Sequence, residues 1–185
     1  MKSLSLFLLC LLFAFQGWSQ TRYFTKKAQV SFYSEAEEEN IEAHNKRGTT
    51  IFDAESGAME FSVLIRAFEF EKALMQEHFN EEYMESHKYP KGTFKGTITN
   101  IKDINFQEDG SYEATIEGKL TLHGETNEIS TTGVFTVKNG KISFESSFDV
   151  AVEDYKIKIP STVTNNIAEI ITIKVNVDDY QEYKK

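Results

Sequence analysis

Four histidines, one cysteine and a dense set of carboxylates are the residues here that could do chemistry. His44, His78, His87 and His123 lack the close spacing by which a zinc motif gathers its ligands. Cys10 is the one cysteine, and it lies inside an apolar N-terminal run that reads as an export signal. A thiol nucleophile is therefore excluded from the mature chain. Neither a Gly-x-Ser-x-Gly elbow nor a glycine-rich phosphate loop occurs. Glu35 to Glu39 form the sharpest charge cluster. A cation site or a partner surface would use such a run, but the Asp/Gly spacing of a calcium loop is missing. A solvated turn or guarded sheet edge needs nothing more. No catalytic residue, metal site or cofactor is expected, and the chain does not read as an enzyme. The chemistry left to it is apolar: fifteen phenylalanines, many alternating with polar residues.

The elements that position these side chains follow from that alternation. Met59, Phe61, Val63 and Ile65 share one strand face, while Phe68 and Phe70 fall on the other parity. The phase change near Arg66 and Ala67 predicts a bulge. Upstream, Ala28, Val30 and Phe32 make a first strand, Ile41 and Ala43 a short return, and Gly48 a turn. Ile51 and Phe52 begin another strand, which turns at Glu55-Ser56-Gly57. A short amphipathic helix near Glu71–Asn80 carries Leu74 and His78 on its apolar face, joined by Met75 and Phe79. Pro90 forbids further helix. Downstream, strands run over Gly92–Ile98, Tyr112–Leu122, Ile129–Val137, Ile142–Val150 and Ile171–Val177, with Asn139-Gly140 the strongest hairpin turn. Gly118 interrupts its strand and marks a bend or a close backbone approach. The fold is all-β: an antiparallel up-and-down barrel of about eight strands with one short helix.

Alternation alone does not say which way the apolar face points, since a membrane barrel has the same period. The mid-chain helix, the absence of aromatic girdles and the Lys184-Lys185 end argue for apolar inside. The lumen is then lined by Phe61, Val63, Ile65, Phe94, Ile98, Leu122, Phe144 and Phe148. Such a lumen either holds one ligand or is plugged by its own phenylalanines. Net charge is -9, with no basic patch, so nucleic acid is not an expected partner.

Two blocks carry a family likeness. The first holds His78-Phe79-Asn80, Tyr83-Met84-Glu85-Ser86, Lys88-Tyr89-Pro90 and Thr93-Phe94; the second runs from Gly118 to Thr126 around His123-Gly124. Together they resemble the YceI-like family of lipocalin-like, polyisoprenoid-binding barrels. The likeness covers the chain from about Met59 to its end and is weak before it, where Lys27-Ala28 replaces the family's His-Ser or His-Thr pair. It implies an apolar small-molecule partner, an isoprenoid or quinone-like lipid, held in the lumen without chemistry. His78 and His123 fall in the two blocks. They read as polar handles near the mouth or as half of a metal site, or else as histidines bonded to turn carbonyls. The alternative function is a closed-core barrel serving as an interaction or structural module of the cell envelope. A weaker third is a scavenger whose bound quinone-like ligand or metal protects the envelope from stress. Lys2, the apolar run Leu4–Phe15 and Gly17-Trp18-Ser19 read as a signal peptide over residues 1–19, leaving 20–185 as a single domain. The run is about 12 residues, shorter than a membrane-crossing helix. The mature protein is thus expected to be periplasmic or secreted, not membrane-spanning, with a homodimer as a further option.

Overall fold

The computed structural model describes residues 21–183, so the signal segment and Cys10 lie outside the described residues. Strands β1 (Arg22–Glu35), β2 (Asn40–Asp53) and β3 (Ala58–Leu64) are followed by a two-residue β4 (Glu69–Phe70) and helix α1 (Ala73–His78). Strands β5 (Lys91–Ile98), β6 (Gly110–Leu122), β7 (Glu125–Lys138), β8 (Lys141–Ala151) and β9 (Ile170–Glu182) complete the chain. Every pairing is antiparallel, and β1 bonds both β2 and β9, which closes eight strands into a barrel. Closure leaves no long sheet edge open to another chain.

Three local readings are corrected. Gly48 is no turn: it lies inside a continuous β2, paired with Ala28. A Cβ there would stand 2.9 Å from the Ala28 carbonyl oxygen, so the glycine serves a close backbone approach. The phase change after β3 is a 3-10 turn over Ile65–Ala67 rather than a bulge. The amide nitrogen of buried Asn45 donates to the Leu64 carbonyl at 2.9 Å and fixes the turn. The turn resets the strand parity, so that Ile65, its first residue, and Phe68 after it are both buried. On the helical segment the inward face carries Met75, His78 and Phe79, whereas Leu74, expected on that face with His78, is 61% exposed.

The barrel has two storeys. Its lower end, at the β2–β3, β5–β6 and β7–β8 connections, is solid. Phe52 packs there at ring-centroid distances of 5.1 Å from Phe106, 5.1 Å from Phe135 and 4.9 Å from Tyr180. The loop between β5 and β6 contributes Ile101, Ile104 and Phe106 to this floor. Tyr180 is buried, its hydroxyl 3.3 Å from that of Thr50, and burial pushes its phenol pKa up. The upper half is hollow. The lumen is thus neither wholly open nor wholly plugged: it is packed in one half of its height and hollow in the other.

Candidate functional site

The hollow is an apolar cavity of about 450 Å³. Volumes of this size hold small-molecule ligands in other proteins, about 300–1,000 Å³. Phe61, Val63, Ile65, Phe94, Leu122, Phe144 and Phe148 line it, together with His78. Ile98 does not. It is fully buried in the floor, where its amide bonds the Gly57 carbonyl at 2.8 Å, because its strand has already descended past the cavity.

Two groups of residues outside the expected lining complete the walls. Phe32, Phe68 and Phe70 surround Phe79 at centroid distances of 5.3, 5.7 and 5.0 Å. They seat the helical segment, α1 and the π-turn Phe79–Tyr83, on the rim. Opposite, the segment between β8 and β9 turns Ile157, Ile159, Val163 and Ile167 toward the cavity. Irregular backbone carries no period, so only the apolar content of this Pro- and Thr-containing stretch could have signalled it.

The mouth is tied at two places. At the β1–β2 tip, Glu39 bonds Lys72, ahead of α1, at 2.8 Å. The Glu38 amide donates to the Asn165 carbonyl at 3.0 Å, and the Ala168 amide to the Ser34 hydroxyl at 2.8 Å. Part of the acidic run is thus a bridge between the helical rim and the β8–β9 segment. The second tie is His123. Its Nδ1 donates to the Tyr155 carbonyl at 3.0 Å and its Nε2 stands 2.8 Å from Glu85 Oε2. Both ring nitrogens face oxygens, so the imidazole bridges the Tyr155 carbonyl and the Glu85 carboxyl. The hydrogen bond from His123, helped by nearby Lys88, holds the Glu85 carboxyl below the usual carboxylate range. His123 is therefore a clasp bonded to a turn carbonyl, and only His78 of the two lines the cavity. Among the described residues, no group of three His, Cys, Asp or Glu could hold a metal.

A Ser31–His44–Glu42 chain on the outer wall, with contacts of 2.7 and 3.1 Å, has the residue types of a hydrolytic triad. Ser31 pairs with β2 at His44 and with β9 at Lys174, so its backbone belongs to the ladders on both sides. Free amides of the kind an oxyanion needs are not offered there.

Among curated proteins nothing matches the chain. The family model described as YceI-like domain matches residues 23–178, which reaches well upstream of Met59. The family likeness therefore takes in the first two strands as well. Among solved structures, the chain is similar to a polyisoprenoid binding domain from Saccharophagus degradans implicated in plant cell wall breakdown. That match has TM-score 0.76 and 11% identity, over 89% of this chain and 99% of that one. It is also similar to BcnA of Burkholderia cenocepacia, with TM-score 0.68 and 16% identity over 81% and 94% of the two chains. The YCEI protein of Campylobacter jejuni matches at TM-score 0.54 and 18% identity, over 77% and 85%.

Proposed function

The chain belongs to the YceI-like family, and from that premise we propose that it is an exported, non-catalytic binding protein holding one elongated apolar lipid in the upper half of the barrel. The carrying observation is the cavity: about 450 Å³, walled by aromatic and branched side chains and closed below. Burial of a lipid tail there is favourable by roughly 25 cal/mol per Å² of apolar surface removed from water. The polyisoprenoid-binding description of one structural neighbour is consistent with an isoprenoid tail. The head of the ligand is neutral. Among the described residues no Lys or Arg lines the cavity, and its polar lining is Ser34, Glu39, His78, Tyr83 and Asn166 together with Thr93, Thr131 and Ser146. The nearby Lys72 amine is already paired with Glu39. A hydroxyl or quinone carbonyl finds partners in this lining, whereas a phosphate would meet a carboxylate. Export rests on reading residues 1–19 as a signal, and a periplasmic or secreted location goes with that reading.

The test is native mass spectrometry of the mature protein from its own source, followed by solvent extraction. A defined adduct released as a neutral prenyl lipid or quinone is the expected result. Failure of both native and added lipids to bind would overturn the reading and leave the barrel as an interaction module.

A further inference from the structure

Phe61, Phe94 and Phe144 line the cavity and also belong to the floor packing or lean on it, which places them at the boundary of the two storeys. Each ring lies over a glycine. A Cβ on Gly48 would stand 3.1 Å from the Phe61 Cζ, one on Gly118 2.7 Å from the Phe94 Cζ, and one on Gly133 2.5 Å from the Phe144 Cε2. The glycines let the rings lie along the barrel wall. Phe61 and Phe94 are direct cross-strand partners on β3 and β5, and Phe144 stacks 4.6 Å from Phe135 of the floor. The rings thus lean on the floor below, pack beside wall residues such as Val63 and Leu120, and border the cavity.

We propose that these three rings determine the length of lipid tail the barrel accepts: the tail runs down from the mouth and its end stops against them. This rests on the lipid-binding reading and adds to it a specificity determinant. Phe94→Leu and Phe144→Leu shorten the stop and deepen the cavity. Ile116→Phe, at the same boundary, raises it. Affinity should climb with each methylene that still finds room, by about 4-fold (~0.8 kcal/mol), and level off once the tail reaches the rings.

The experiment is a titration of the mature protein with straight-chain primary alcohols of increasing length and with geraniol, farnesol and geranylgeraniol. It is followed by native mass spectrometry on wild type and the three variants, each first checked for a cooperative thermal transition. The expected result is a break in affinity that moves to longer tails in the two leucine variants and to shorter ones in Ile116→Phe. A wild type that binds with a clear break, while folded variants keep the same break, overturns the length stop and leaves lipid binding intact. No binding of any alcohol to the wild type overturns both. A structure of the wild type with the longest alcohol bound is independent of variant folding: its terminal carbon must lie against these rings, and a tail leaving through the wall would refute the proposal.

Discussion

Glu85 and His123 both sit in the left-handed backbone region, at φ 41° and 47°, and they bond each other. A non-glycine residue there costs about 1–3 kcal/mol and persists where its surroundings demand it. Here the demand is a shared bond between the segment after α1 and the β6–β7 turn. Gly124 beside it, at φ 81°, leaves room for the Tyr89 ring, which lies edge-on to His123 at 4.7 Å. The turn was legible in His123-Gly124; the partner was not, since nothing in sequence links position 123 to position 85. His123→Ala is expected to cost about 1–3 kcal/mol in urea unfolding, because the Tyr155 carbonyl loses its donor. The pH dependence follows from Glu85, whose folded pKa is depressed by the His123 bond. Such a group contributes its stability fully above the unfolded carboxylate value, about 4.3, and loses it as pH falls through the folded value. The melting-temperature gap between wild type and Glu85→Gln should therefore be full near pH 6 and close on acidification. A gap that does not shrink on acidification would mean the carboxylate is not the stabilising group.

The helix shows why an element can be legible while its orientation is not. Leu74 and Met75 are neighbours at helical spacing from His78 and Phe79, and they differ by one residue's rotation, ~100°, so that Met75, His78 and Phe79 face the cavity and Leu74 faces out. The choice is made by Phe32, Phe68 and Phe70, which receive Phe79 from strands distant in sequence. The consequence is testable: Leu74→Glu should leave melting temperature and lipid affinity unchanged, while Met75→Glu, facing the cavity, should abolish binding. Gly48 teaches the same lesson for strands, since a glycine that looked like a break marks a contact with Ala28 across β1. At the mouth, beside the helix, the acidic β1–β2 tip was visible as charge, but its bridging role depends on Lys72 and Asn165 arriving beside it. An exposed ion pair contributes little to stability, so Glu39→Gln should leave the melting temperature as it is. By loosening the rim it should quicken lipid exchange, read by stopped-flow displacement of a fluorescent lipid.

On the scale of the whole barrel, alternation showed which residues point inward but not the height at which each stands. Phe135 and Phe148 had the same sequence signature, yet one is fully buried in the floor and the other half-buried on the cavity wall. Height is set by strand tilt and register, which depend on all eight strands together. The two positions should therefore separate stability from binding. Phe135→Ala removes a ring packed against Phe52, Phe106 and Phe144 and should cost about 3–5 kcal/mol. Phe148→Ala should cost less, because its ring borders space that is already open. A ligand that binds only the folded state raises stability by RT ln(1 + [L]/Kd). Farnesol should then raise the melting temperature of Phe135→Ala by nearly the same increment as wild type, from a lower base. Phe148→Ala should begin near the wild-type value and lose much of that increment. Equal increments in all three proteins would place the lipid somewhere other than the upper storey.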